Sequence, residues 1–151
     1  MDETAEFLSA IEPRLRNAEE TLHNGDAGPR KSMWSRKDPL TLLGTAFSGT
    51  GWAEIEPVFD RLGSSFSSCT SYEVEILAAE ARGDLAYLVV MEHTTASIDG
   101  APSRDYSLRV TWIFRREDGE WKTIHRHADP QSTEDSGELV RQLRASSRSS
   151  P

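Results

Sequence analysis

Apolar residues in the first part of the chain recur every three to four positions. The recurring positions are Phe7, Leu8, Ile11, Leu15, Ala18 and Leu22. This spacing places them on one stripe of an amphipathic helix, and Asn24-Gly25 is a typical helix stop. Pro13 lies inside the pattern and has no amide donor, so it either kinks the helix or marks its true start.

A short helix, a strand and a longer helix are predicted next. Gly28-Pro29 favours a helical turn that Asp38-Pro39 stops, and the apolar segment Leu40–Leu43 is then predicted to be a strand. Residues 44–51 are small and glycine-rich, which predicts a loop, and Thr50 is the expected N-cap of the third helix. The apolar face of that helix comprises Trp52, Ile55, Val58, Phe59 and Leu62.

Beyond the third helix and a linker over 63–70, apolar and polar residues alternate with a period of two. Four strands are predicted: Tyr72–Ala81, Leu85–Thr95, Tyr106–Arg116 and Trp121–His127. The turns between them are Gly83-Asp84, Asp99-Gly100 and Asp118-Gly119. Helices followed by an antiparallel meander indicate the α+β class.

One domain is predicted over residues 1–130. The whole chain of 151 residues is long enough for a single core and too short for two ordinary domains. From 131 to 151 the composition becomes rich in Ser and Arg, and the apolar candidates for a short helix are Leu139, Val140 and Leu143. We therefore predict a polar, mobile C-terminal tail.

Alternation sorts the last three strands into two faces. The more apolar face is predicted to be internal: Ala86, Leu88, Val90, Glu92, Thr94, Leu108, Val110, Trp112, Phe114, Ile124, Arg126 and Ala128. The other face is amphipathic: Tyr87, Val89, Met91, His93, Arg109, Thr111, Ile113, Trp121, Thr123, His125 and His127. A three-residue loop, 117–119, keeps this sorting and is preferred. A two-residue turn would bring His125 and His127 inside.

Three sequence stretches carry a family resemblance: WSRKDPLTLLG at 34–44, GWAEI at 51–55 and DGEWKTIHRHADP at 118–130. Together they resemble the SnoaL-like branch of the nuclear transport factor 2-like superfamily, which includes ketosteroid isomerase-like proteins. The resemblance implies a cone-shaped, cystatin-like fold in which a curved antiparallel sheet wraps around the N-terminal helices. It also implies a pocket among the helices and a homodimer formed through the outer sheet face. It does not specify an activity, because this fold hosts many.

At positions that carry the function of two related families, this chain has different residues. The proton-abstracting base and the tyrosine of steroid isomerases align near Leu42 and Ala18, which cannot do that chemistry. The pocket arginines of the calcium/calmodulin-dependent protein kinase association domain align with Glu92, Trp112 and Ala128. The alignment therefore argues against both ketosteroid isomerisation and an anion pocket of that type.

The charge of the chain limits its partners. With 25 acidic and 17 basic residues the net charge is -8, so nucleic acid and anionic membranes are not expected partners. A small hydrophobic or mildly polar ligand fits better. Because no apolar run reaches the roughly 20 residues of a membrane span and no signal peptide is evident, we expect a soluble, cytoplasmic protein.

The cysteine, glycine and arginine residues of the chain give expectations about its cofactors and the kind of genome that encodes it. The single cysteine, Cys69, excludes an intrachain disulfide and a zinc site built from cysteines. No phosphate-binding glycine motif occurs, so no cofactor is expected. The excess of Arg over Lys is typical of a GC-rich bacterial genome.

Two carboxylates are candidates for acid–base catalysis. Asp38 lies near the expected pocket mouth and would serve as a general base if burial raised its pKa, although a turn-forming Asp-Pro pair is the alternative. Glu92 lies in mid-strand on the inner face, where an unpaired charge is costly. Arg126 is its expected partner, either in a structural ion pair or in a polar pocket floor. The expected pocket walls are Trp34, Val90, Trp112 and Phe114.

A polar cluster is predicted on the outer face: His93, Arg109, Thr111, His125 and His127. The His-x-His spacing suggests a metal, but no cysteine or carboxylate motif completes a site, so no metal is assigned. Hydrogen bonding across a dimer interface is the preferred interpretation.

Two functions follow from this sequence. The first is a small-molecule-binding SnoaL-like domain acting as a lyase or isomerase by general acid–base catalysis. The alternative is a non-catalytic ligand-binding or association module, in which the Glu92–Arg126 pair is structural. The two differ in whether a carboxylate in the pocket is free.

Overall fold

The structure is a computed structural model that describes residues 2–131 and 133–149. Its elements in chain order are α1 (Glu3–Leu22), α2 (Gly28–Met33), β1 (Thr41–Leu43), β2 (Ser48–Thr50), α3 (Trp52–Ser65), β3 (Phe66–Arg82), β4 (Leu85–Ile98), β5 (Arg104–Glu117), β6 (Glu120–Pro130) and α4 (Thr133–Ser149). The strands form one sheet in the order β2-β1-β6-β5-β4-β3. All neighbours are antiparallel except β1 and β6, which are parallel. The predicted α+β class and curved sheet are confirmed.

The N-cap of helix α1 is Asp2, whose side chain accepts a hydrogen bond of 2.7 Å from the amide of Ala5. Pro13 lies inside the helix, so it does not mark the start. The predicted apolar stripe is buried at Phe7, Ile11, Leu15, Ala18 and Leu22. This stripe fills the concave face of the sheet, where the ring of Phe7 lies 5.2 Å from the rings of Phe114 and Trp121.

The region around α3 differs from the prediction in three places. The predicted loop 44–51 contains strand β2, which pairs with β1. The N-cap of α3 is Gly51, with a φ of 80°, so the prediction that Thr50 is the N-cap is wrong. The amide of Thr50 instead donates a hydrogen bond of 2.9 Å to Glu54 Oε1, because an acidic side chain in the first turn reaches back to free amides. The predicted linker 63–70 is also wrong, since α3 ends at Ser65 and β3 begins at once.

The last hairpin has a two-residue turn and a compensating bulge. Asp118 and Gly119 have φ angles of 51° and 79°, and Glu117 pairs with Glu120, so the predicted three-residue loop is wrong. Two positive φ angles give a turn whose twist matches that of the strands. An extra residue at Ile124 then shifts the register.

This bulge decides which side chains of β6 lie inside. Before it, Trp121 and Thr123 are buried, which corrects their predicted outer position. After it, Arg126 and Ala128 are buried as predicted, while His127 is exposed. The turn reverses the alternation and the bulge reverses it again.

The C-terminal segment also differs from the expected tail, because residues 133–149 form helix α4. Leu139 and Leu143 are one turn apart and both are buried. The helix packs against α3 and β6. A pair of leucines at this spacing provides enough of an apolar stripe to dock the helix on the wide end of the cone.

Candidate functional site

A cavity of about 50 Å³ lies between α4 and the inner face of the sheet. It is bounded by the C-terminal end of α1, by α2 and α3, by β5 and β6, and by α4. Most of its wall is aliphatic or aromatic, including Leu22, Leu42, Phe47, Leu62, Leu139 and Leu143. Its polar side is formed by His23, Arg30, Tyr106 and Arg126. An apolar wall with a few converging polar groups is typical of a small-molecule site.

The expected partnership between Glu92 and Arg126 is formed in the core. Arg126 Nη1 donates to Glu92 Oε2 at 2.9 Å, and Arg126 Nη2 donates to Oε1 at 3.0 Å. The indole Nε1 of Trp112 donates to Oε2 at 3.2 Å, and the guanidinium lies 4.5 Å from the Trp112 ring centre. Glu92 is 2% and Arg126 is 4% exposed. Both oxygens of this carboxylate are therefore occupied.

A second buried ion pair joins α1 to α2. Arg30 Nε donates to Glu19 Oε2 at 2.9 Å, and Arg30 Nη2 donates to Oε1. Arg126 Nη1 lies 3.8 Å from Glu19 Oε1, so the two ion pairs form one cluster. Burial by itself raises the pKa of Glu19, but the charges of Arg30 and Arg126 outweigh it and hold that pKa at about 2. Two acids and two arginines leave the cluster with no net charge.

The ion pair between Glu19 and Arg30 was not predicted from the sequence. Glu19 follows Leu15 by four residues on the apolar stripe of α1, and a charge at such a position signals a buried partner. Arg30 carries no such signal, because α2 has only six residues and no clear periodicity.

His23 and Tyr106 form a hydrogen-bonded pair on the cavity wall. His23 Nδ1 lies 2.6 Å from the carbonyl oxygen of Glu19, which can only accept, so Nδ1 carries the proton. His23 Nε2 then accepts from the Tyr106 hydroxyl. Burial lowers the pKa of His23 and raises that of Tyr106. The imidazole is therefore neutral and the phenol protonated at neutral pH.

The other predicted site residues lie away from this cavity. Trp34, Val90, Trp112 and Phe114, the predicted pocket walls, are buried in the packed core. Val90, Trp112 and Phe114 pack in one core cluster with the apolar stripe of α1, and Trp34 packs in another with side chains of α3. Asp38 is exposed and precedes Pro39 through a cis peptide bond. Of the predicted pocket and catalytic residues, Arg126 alone lines the cavity as described.

The predicted polar cluster lies on the outer face as several small groups, and Arg109 and His127 share Asp129 as a partner. His93 is bonded to Ser107 at 2.7 Å, and Arg109 is paired with Asp129 at 2.7 Å. His125 Nδ1 contacts Thr41 Oγ1 at 2.7 Å, and His127 Nε2 lies 3.7 Å from Asp129. Thr111 pairs with His127 across β5 and β6. Within the described part of the chain, no three His, Cys, Asp or Glu side chains converge as metal ligands would.

A sequence model of the SnoaL-like domain matches residues 11–130 of this chain. The chain belongs to the SnoaL-like family. The matched part of the SnoaL-like domain runs from the middle of α1 to the end of β6, so it excludes α4. No curated protein matches the sequence.

Solved structures share the fold of this SnoaL-like domain at low identity. A proposed dehydratase of the NTF2-like family from Streptomyces avermitilis is 16% identical, with a TM-score of 0.71 over 85% of this chain and 99% of that one. A proposed calcium/calmodulin-dependent protein kinase type II association domain from Thiobacillus denitrificans is 20% identical, with a TM-score of 0.66 over 82% and 94%. An NTF2-like protein with a cystatin-like fold from Novosphingobium aromaticivorans is 17% identical, with a TM-score of 0.64 over 90% and 89%.

The SnoaL-like domain therefore has the cystatin-like fold of these NTF2-like proteins. At such identities they establish the fold and leave the chemistry to the site. None of the described helices has the length and hydropathy needed to span a membrane.

Proposed function

We propose that this SnoaL-like domain is a non-catalytic module that binds a small hydrophobic or mildly polar molecule in the cavity. The observation that carries the proposal is the bidentate pairing of Glu92 with Arg126, reinforced by Trp112. A general base must be free to accept a proton, and a carboxylate held by a guanidinium is a poor one. Glu19 is held by Arg30 in the same way.

The polar side of the cavity favours a ligand with a hydrogen-bond acceptor. Arg30 and Arg126 each use two nitrogens on a carboxylate, and neither Arg30 Nη1 nor Arg126 Nε is bonded to another described residue. These N–H groups can donate to a carbonyl or ether oxygen. Because the four charges already balance, a neutral ligand adds no uncompensated charge to the core.

The second candidate is an acid–base lyase or isomerase, and the His23–Tyr106 pair favours it. Both side chains line the cavity, and neither is held in an ion pair at neutral pH. The imidazole would receive a proton while the phenol bonds to the substrate oxygen. In that reading Asp38 and Glu92 have no part in proton transfer.

We further propose that the outer sheet face forms a homodimer. Leu77 is 57% and Tyr87 is 40% exposed, and Val89, Met91 and Ile113 beside them are half-buried in the single chain. An apolar strip of this kind on a sheet face supports self-association.

A nuclear magnetic resonance titration with 4-methylpentan-2-one tests the binding proposal. This ketone combines a branched aliphatic group with a carbonyl acceptor, and we expect millimolar binding with shifts at residues around Leu22, Phe47 and Leu62 and in α4. Shifts on the outer sheet face, or none at all, would contradict cavity binding.

The same sample in D₂O separates the two candidate functions. An acid–base enzyme that binds a ketone would exchange the protons next to the carbonyl for deuterium. Exchange above the buffer rate that is lost in Tyr106→Phe would favour the enzyme. Binding without exchange would favour the module.

A further inference from the structure

Helix α4 forms part of the wall of the cavity that we propose as the binding site. Leu139 is 1% and Leu143 is 4% exposed, and both line the cavity. The residues around them, Gly137, Glu138 and Arg141, face outward and are exposed. Over residues 137–145 the helix therefore presents a short apolar stripe to the cavity and polar side chains to solvent.

The space left under α4 is small compared with a ligand. A dry cavity of roughly 150 Å³ accommodates benzene. The cavity here is about 50 Å³, which has room for only a few water-sized molecules. A ligand with a branched or cyclic hydrocarbon group needs the volume that the two leucine side chains fill.

The attachment of α4 suits a segment that can open without unfolding the domain. The family match ends at residue 130, so the SnoaL-like domain is defined without this helix. Gly137 lies inside α4, where glycine lowers helix stability. One side-chain contact to the sheet is the hydrogen bond of 2.5 Å from Arg104 Nη1 to Gln142 Oε1. Segments with few buried apolar side chains open at low free energy.

We infer that α4 is an internal competitor for the cavity, and that a ligand binds by displacing Leu139 and Leu143. This inference rests on the proposed binding function. The ligand's hydrocarbon group takes the place of the leucine side chains, while its acceptor oxygen bonds to the free N–H groups of Arg30 or Arg126. Ligand binding and α4 docking then exclude one another, so binding releases the helix from the domain.

Variants of the full chain with opposite effects on α4 test the competition, with 4-methylpentan-2-one as the probe. Gly137→Ala stabilises the helix without changing the cavity, since a Cβ there meets only the flexible end of Arg141 at 3.8 Å. We expect it to weaken probe binding about fivefold. The double variant Leu139→Ala, Leu143→Ala should strengthen binding at least tenfold. Arg141→Ala, on the exposed face of the same helix, is the matched control and should change the affinity less than twofold.

Amide hydrogen exchange distinguishes displacement from simple filling of a cavity. Saturating the wild-type chain with the ketone should speed exchange over residues 137–145 by tenfold or more, because the helix leaves its site. Exchange that stays the same or slows, together with an unchanged affinity in Gly137→Ala, would overturn the competition and leave the binding proposal intact. Binding by the double variant alone would mean that α4 seals the cavity permanently, which also overturns it. No binding by any variant would refute the binding proposal itself.

Discussion

Four buried charges make the centre of this protein unusual at the scale of single residues. Glu19, Arg30, Glu92 and Arg126 are all at most 4% exposed, and each carboxylate is paired with one guanidinium. Removing such groups from water costs several kcal/mol per ion, which the pairing offsets only if both partners remain. The cluster is therefore balanced rather than strongly stabilising, and any single substitution leaves one charge uncompensated.

Substituting Glu92→Gln should destabilise the fold by about 3–5 kcal/mol, because Arg126 loses its bidentate partner and the buried Glu19 is left with two guanidiniums. Urea denaturation of the purified variant measures the free energy of unfolding. The control is Asp129→Asn, which removes the partner of Arg109 in an exposed pair between β5 and β6 and should cost less than about 1 kcal/mol. Equal effects of the two substitutions would show that the buried cluster matters no more than a surface pair.

The stability of the domain should also fall as pH drops below about 6.5. His23 has a pKa lowered from 6.5 by burial, so in this range the unfolded chain binds a proton that the folded chain does not. Glu19, whose pKa falls from 4.5 to about 2, adds a second loss as pH falls from about 4.5 towards 2. Urea denaturation over the range from about pH 2.5 to about pH 8 measures both losses.

The variant His23→Gln isolates the first of these losses. Its free energy of unfolding should depend less on pH just below about 6.5 than that of the wild type. His127→Gln, at an exposed position, serves as the control and should retain the wild-type slope. An unchanged slope in His23→Gln would exclude His23 as the source.

At the scale of secondary-structure elements, the hairpin of β5 and β6 decides what the sheet presents to each side. The Asp118-Gly119 turn puts Trp121 and Thr123 inside, and the bulge at Ile124 restores Arg126 to the inner face. Without the bulge, the period of two would place His125 and His127 in the core. The charge cluster therefore depends on one extra residue in a strand.

Substituting Gly119→Ala should destabilise the fold by about 1 kcal/mol, because its φ of 79° is in the left-handed region that an alanine adopts only with strain. Thermal or urea unfolding measures the change. Gly137→Ala makes the same chemical change in a helix and should have no destabilising effect. If Gly119→Ala proved neutral, the turn would not hold the register of the hairpin.

At the scale of the whole molecule, the two faces of the sheet have different tasks. The concave face is filled by α1 and carries the charge cluster and one wall of the cavity. The convex face carries small polar groups around an apolar strip. This strip supports the proposed homodimer. Ligand binding and self-association would then occur on opposite sides of one layer of strands.

Substituting Met91→Arg should convert the proposed homodimer into a monomer at micromolar concentration, because each copy would bury an unpaired charge in the proposed apolar interface. Size-exclusion chromatography with light scattering measures the mass. Ala10→Arg, on the exposed surface of α1, is the control and should leave the mass unchanged. A wild-type chain that is already monomeric at this concentration would refute the dimer.

Local sequence pattern determined the types of most elements and the family. The stripe of α1 and the alternation of β4 and β5 were predicted correctly, because periodicities of 3.6 and 2 are properties of consecutive residues. The resemblance of the stretches at 34–44, 51–55 and 118–130 to the SnoaL-like family is confirmed by the family match over residues 11–130. Glu92 was recognised as a paired charge from its place on an apolar face.

Tertiary structure alone decided where the cavity lies and what lines it. His23, Arg30, Tyr106 and Leu139 are far apart in sequence and meet only because α1, α2, β5 and α4 converge at one end of the cone. The Ile124 bulge likewise depends on the fit of two strands, since the sequence around it is compatible with either register. Contacts of this kind are set by packing between distant segments, and no periodicity within a segment encodes them.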